Sequence, residues 1–161
     1  MHLADKLKKV KILMIDNDAL IRNSLSLFFQ CEGGHFLAVD SAEKGLEALT
    51  KEKYDVIISD FTLPTSDALS FFRLVDKRYP DVLKVLIISI FTGYMIREAI
   101  MIGVRNFIQK PFTSRTIEKS LYHLLEKSSA QTGTVYLNGE AVRFSSTQCE
   151  HNTHPMLRNL S

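Results

Sequence analysis

Residues Tyr54–Pro64 read YDVIISDFTLP, and this stretch decides the fold. Val56, Ile57 and Ile58 form an unbroken β-branched run, the mark of a strand buried on both faces of a parallel sheet. The run stops at Ser59 and Asp60, and in open α/β sheets ligands gather where the carboxyl ends of the strands stop. Phe61–Pro64 then breaks regular structure, because Pro64 has no amide hydrogen and biases Leu63 away from the helical region. Taken alone, Asp60 reads first as a carboxylate capping the next turn. The rest of the chain changes that reading.

The same pattern recurs on both sides. Val10–Ile15 (VKILMI) is a short apolar run ending abruptly in Asp16, Asn17 and Asp18. A helical stripe follows over Ala19–Gln30 (Ile21, Ser24, Leu25, Phe28), stopped by Gly33 and Gly34. His35–Val39 is a modest strand, and Ser41 opens a capping-box-like SAEK into a helix carrying Leu46 and Leu49. Beyond Asp60, Asp67–Tyr79 repeats the helical stripe, and Val82–Ile88 (VLKVLII) is a fourth strand ending at Ser89. Tyr94–Ile102 is an unusually apolar helix closed by Gly103. Arg105–Ile108 is a fifth strand, followed by Gln109, Lys110 and Pro111. Thr113 caps a last helix with Ile117, Leu121 and Leu124 on its apolar face.

Strands alternating with helices at this spacing predict an α/β fold, a doubly wound five-stranded parallel sheet with helices on both faces. Right-handed crossovers put every strand's carboxyl end on one edge. Asp16, Asn17, Asp60, Ser89 and Lys110 each follow a separate apolar strand, so this fold brings them together. Carboxylates crowded in that way repel unless a cation sits among them. A site with few protein oxygens suits Mg²⁺, which keeps several waters and bridges to phosphate. A lysine adds positive charge for a phosphoryl group, and a serine hydroxyl can donate to its oxygens. The set reads as a phosphoryl-transfer site with an aspartate nucleophile.

With ILMIDND, YDVIISDFTLPTSDA, VLIIS and FIQKPF in this order, the sequence resembles the receiver domain of two-component response regulators over about residues 8–127. The resemblance implies a flavodoxin-like sheet of strand order 2-1-3-4-5. It implies that Asp60 is the phosphoacceptor for a histidine kinase or phosphotransfer protein, with Lys110 and Ser89 acting on the phosphoryl group. Mg²⁺ would be held by Asp16, Asn17, Asp60 and the Thr62 backbone carbonyl. Ser89 and Phe107 would be the switch pair, Phe107 moving inward. The changed surface would lie on the helix from Tyr94, the fifth strand and the last helix, offered to a downstream protein or a second copy.

Departures from the family pattern carry their own expectations. Asn17 stands where a second acid is common, which predicts weaker Mg²⁺ binding. Asp18 is placed at the N-terminus of the first long helix. Ala68 replaces a usual Gly, and Ile90 replaces a small residue beside Ser89, which predicts narrowed access to Asp60. Two rivals remain open here. One is a degenerate receiver that binds partners without phosphate. The other is a haloacid-dehalogenase-like phosphatase in which Asp16 is the nucleophile and Asp18 the general acid.

Composition sets the frame. With 161 residues, 45% hydrophobic, 24% charged and a net charge of +2, the chain is expected to be a cytoplasmic globular protein with no general attraction to nucleic acid or membrane. The lysines at 6, 8, 9 and 11 read as a solvated end. The domain division is 1–128 for the receiver and 129–161 for a tail without a recognisable output domain, carrying a hairpin over 134–144 with an Asn138-Gly139 turn. Cys149, His151 and His154 read as ordinary tail residues rather than a metal site.

Overall fold

A computed structural model describes residues 3–127 and 134–143. Seven strands form one sheet in the order β2-β1-β3-β4-β5-β6-β7. The first five are β1 (Lys11–Ile15), β2 (His35–Val39), β3 (Val56–Asp60), β4 (Leu83–Ile88) and β5 (Asn106–Gln109), all mutually parallel. Their order is the expected 2-1-3-4-5, and the sheet is wider than the five strands expected. The hairpin strands β6 (Val135–Leu137) and β7 (Glu140–Val142) extend it, β6 pairing parallel with β5 and β7 antiparallel with β6.

Helices cover both faces. On one side Leu13, Ile15, Ile57, Leu86, Ile88 and Phe107 pack against α3 (Ala42–Lys51), α4 (Ala68–Arg78) and α5 (Gly93–Met101). On the other, Ile12, Met14, Val56, Ile58, Val85, Ile87 and Ile108 pack against α2 (Ala19–Cys31) and α6 (Ser114–Lys127). This alternation explains why Ile12–Ile15, Val56–Ile58 and Val85–Ile88 are unbroken apolar runs: both faces of these strands are core. A one-turn helix, α1 (Leu3–Leu7), was not anticipated; it buries Leu7 in the second layer. Its Lys6 pairs with Glu126 of α6, and Lys11 pairs with Glu52 at 2.9 Å, so these two basic residues are engaged within the chain.

Two buried faces differ from the periodic reading. In α2 the buried residues are Leu25 and Phe29, while Phe28 is only partly covered. Phe29 stacks on Phe36 with ring centroids 4.4 Å apart, which turns the helix toward β2. In α5, Ile96 and Ala99 face the core and Tyr94 and Met101 are 73% and 77% exposed, while Ile102 is buried just past the helix end.

A buried lysine sits near the start of β4. Lys84 in β4 is buried on the α4 side, and its Nζ donates to Asp76 Oδ1 of α4 at 2.8 Å. Removing the partner of a buried charge destabilises more than replacing the charge by an apolar chain of similar length. Asp76→Ala is therefore expected to lower unfolding stability by about 1–3 kcal/mol, and Lys84→Met by less than about 1 kcal/mol. Urea denaturation of the two variants checks the order.

Candidate functional site

Four strands end at the same edge, and register fixes what meets there. Ile15 pairs with Ser59, Asp60 with Ile87, and Ile88 with Gln109. Asp16 and Asp60 thus leave neighbouring strands side by side. Asp16 is anchored by its backbone, its N–H donating to Val39 O at 3.0 Å and its carbonyl accepting from Arg22 Nη1 at 2.8 Å. Phe61 N donates to Ile87 O at 2.8 Å and Lys110 N to Ile88 O at 2.8 Å, which carries the ladder one residue past β3 and β5.

The result is a contact between residues fifty positions apart. Lys110 Nζ donates to Asp60 Oδ2 at 2.8 Å, reaching across the end of β4. Asp60 is buried and Lys110 half-buried, so this pair is shielded more than a surface bridge. Asp16 is wholly buried; its Oδ1 accepts from Asp18 N at 2.9 Å, and its Oδ2 has no hydrogen-bond partner. Burial pushes the Asp16 carboxyl above its usual range, and the neighbouring Asp60 charge adds to the rise, opposed by the Asp18 amide and by Lys110.

That orphaned oxygen is the observation against which a metal must be tested. A buried carboxylate oxygen without a donor, next to a second carboxylate, is an arrangement a hard cation satisfies. Asp18 does not contribute. It is the N-cap of α2, accepting from Leu20 N at 2.8 Å and Ile21 N at 3.3 Å. Among the described residues no group of three His, Cys, Asp or Glu side chains converges. Two carboxylates, the exposed Asn17 amide and a backbone carbonyl fit an ion that retains water, such as Mg²⁺. The commitment of Asp18 to the helix end also removes the general acid that the phosphatase reading needs.

The remaining expected residues are placed as follows. Thr62 lies in the loop after β3, in a bridge with Asp67. Asp67 caps α4 by accepting from Ser70 N at 2.8 Å, so buried Ala68 begins a helix where no glycine conformation is needed. Ser89 is exposed just beyond β4. Ile90, just beyond Ser89, is 70% exposed. Phe107 is already fully buried, its ring centroid 6.2 Å from that of Phe91. Cys149, His151 and His154 lie outside the described residues.

A feature the sequence reading missed adjoins Lys110. A cavity of about 680 Å³ lies between α2 and the β5–α6 loop, lined by Leu20, Ile21, Phe28, Pro111 and Phe112 among others. Leu20, 74% exposed, sits at its rim. The signal was present as Leu20, two residues after the Asp18 cap, one apolar residue too many for a helix with a single buried stripe.

Comparison with known proteins agrees with this geometry. The response regulator receiver domain family matches residues 12–122. The response regulator protein FleR of Pseudomonas aeruginosa is 35% identical over 109 residues, covering 66% of this chain and 23% of its own length. The chain therefore spans about a quarter of that relative. Among solved structures, the signal receiver domain of an HD domain-containing protein from Pseudomonas fluorescens Pf-5 superposes with a TM-score of 0.69 at 21% identity, covering 76% of this chain and 98% of that one. The receiver domain of Ssk1, solved with the histidine phosphotransfer signaling protein Ypd1 of Saccharomyces cerevisiae, gives 0.64 at 13% identity, with 71% and 87% covered. Strand order, the convergence of Asp16, Asp60 and Lys110 at one sheet edge, and a family match over most of the chain lead to one conclusion: this protein belongs to the response regulator receiver domain family of two-component signalling.

Proposed function

We propose that this chain accepts a phosphoryl group on Asp60 from the phosphohistidine of a histidine kinase or phosphotransfer protein, and signals the event to a protein partner. The observation that carries this reading is the Lys110–Asp60 contact of 2.8 Å beside the orphaned Asp16 oxygen. Lys110 engages Oδ2; no donor among the described residues bonds Oδ1, which leaves that oxygen for attack. The Asp60 oxygen attacks phosphorus, a P–O bond forms, and the P–N bond breaks with its electron pair kept by the departing imidazole. Lys110 neutralises charge on the transferring group, and Ser89 is available to donate a hydrogen bond to it. Asp16, Asn17, Asp60 and the Thr62 carbonyl would hold Mg²⁺, which supplies charge neutralisation for the phosphoryl oxygens when bound. Asp60 here acts within its own chain, so the protein is a signalling module rather than a turnover enzyme.

The apolar cavity rimmed by Leu20 supplies a docking place for the donor, next to Lys110. A shallow apolar groove beside a charged centre suits the face of an amphipathic helix. The solved Ypd1–Ssk1 complex supports a phosphotransfer protein as the class of donor. Residues 1–128 are read as the receiver, with the hairpin as an addition to its sheet. Output passes through protein contacts, for which the exposed Tyr94 and Met101 of α5 are the apolar candidates. Phe107 begins buried, so the response runs through Ser89 and the β5 backbone rather than through an inward swing of the ring.

No helix among the described residues is long and apolar enough to cross a membrane. A cytoplasmic site of action is part of this reading.

Three outcomes test it. Incubation with Mg²⁺ and a phosphodonor is expected to add the mass of one phosphoryl group to the intact chain, and Asp60→Asn to abolish the addition; equal addition to the variant rules out Asp60. Asp16→Asn removes a charge whose folded-state pKa is raised, so the charged form opposes folding. Its stabilising effect is expected to be full at neutral pH, about 1 kcal/mol or roughly 3 °C in thermal midpoint. It should vanish as the pH falls below the ordinary aspartate value of 3.8, where Asp16 is protonated in both states. Calorimetry across that range reads both limits. Asn17→Asp restores a carboxylate and is expected to tighten Mg²⁺ binding, measured by titration calorimetry; unchanged affinity removes Asn17 from the site.

A further inference from the structure

The hairpin has no part in the chemistry above, yet it is bonded to the strand that carries Lys110. Tyr136 N donates to Arg105 O at 2.7 Å and Asn138 N to Phe107 O at 2.9 Å, the ordinary ladder of β6 on β5. The third bond is different. Gln109 N donates to the side-chain Oδ1 of Asn138 at 2.9 Å. Strand β6 has ended at Leu137 and the chain is turning away, so the asparagine amide stands in for the carbonyl that the next strand residue would supply. Successive amides of a strand point to opposite neighbours. Lys110 N is held by Ile88 O of β4, and Gln109 N by Asn138, so the last amide of β5 and the one just after it are tied from both sides.

Asn138 is itself firmly placed. It and Gly139 have φ of 50° and 80°, the paired left-handed conformations of a two-residue hairpin turn. A Cβ on Gly139 would lie 2.6 Å from Lys119 Cγ and 3.0 Å from the Lys119 carbonyl carbon, so the turn sits directly against the α6 backbone. Lys119 Nζ also pairs with Glu140 Oε1 at 2.8 Å.

We propose that Asn138 is a positioning residue for Lys110, fixing the carboxyl end of β5 so that the ammonium is held on the Asp60 carboxylate. This rests on the reading of Asp60 as phosphoacceptor. Coupling between two sites is reciprocal, so a phosphoryl group held by Lys110 in turn stabilises the docked hairpin.

The test uses the whole chain with Mg²⁺ and acetyl phosphate, following uptake by intact mass. Asn138→Gly keeps the left-handed turn and removes the acceptor. Its thermal midpoint falls by no more than about 3 °C, its initial rate of uptake falls about fivefold, the worth of one hydrogen bond, and amide exchange at Gln109 and Lys110 accelerates. Asn138→Asp retains an oxygen acceptor in the same conformation and restores the rate. Equal rates for wild type and Asn138→Gly, or a loss that Asn138→Asp does not rescue, overturn the positioning role. A second measurement needs no variant: beryllofluoride with Mg²⁺ increases amide protection at Val135–Leu137 in the wild type, and unchanged protection counts against the coupling. No uptake by the wild type overturns the Asp60 reading itself, and the positioning role with it.

Discussion

The ion pair between Lys110 and Asp60 is the contact on which the site depends. It joins β3 to β5 over the end of the strand between them, so it exists only if all three stop at the same level. Parallel pairing secures that level. Each strand enters from the opposite edge after a helical crossover, and the apolar run fixes register because a slip of one residue would turn core side chains to the other face. Val56–Ile58, Val85–Ile88 and Phe107–Ile108 are all buried, so none of these strands has a second acceptable register.

This also explains what was legible in the sequence. Strand positions, the helix caps at Asp18 and Ser41, and the gathering of Asp16, Asp60 and Lys110 follow from local patterns whose physical meaning is short-ranged. What could not be read depends on which neighbour a face meets. Phe29 rather than Phe28 is the buried ring of α2 because Phe36 of β2 offers a stacking partner, a fact about another strand. Ile102 is buried beyond the end of α5 because the chain folds back through Gly103 at φ 87°, which helical periodicity does not describe. The hairpin was visible as a hairpin from Asn138-Gly139. Its place on β5 was not, since three-residue strands carry too little pattern to name their partner.

That placement alters how the fifth strand should be regarded. A parallel sheet ending at β5 would leave a row of unpaired amides and carbonyls at its border. Here β6 takes up the β5 border and β7 becomes the outer strand, with Val135, Tyr136, Leu137 and Val142 buried in the process. A strand that would otherwise be free to shift is bonded on both sides. Any partner that reads β5 must read it through the hairpin, or displace the hairpin first.

Charge around Asp60 accounts for the one substitution that departs most from the expected pattern. Asp16 and Asp60 contribute two negative charges against the single positive charge of Lys110; burial is the main cause of the raised Asp16 pKa, and the Asp60 charge adds to it. A third acid at position 17 would deepen the imbalance whenever no cation is present, while strengthening the hold on a cation when one is. Asn17 keeps an oxygen that can coordinate and removes the charge. The expected consequence is a site that is easier to fold without a cation and that holds one more weakly. On the proposed reading, the uptake of a phosphoryl group then depends more on Lys110, and hence on whatever keeps β5 in place, than in a receiver with three acids.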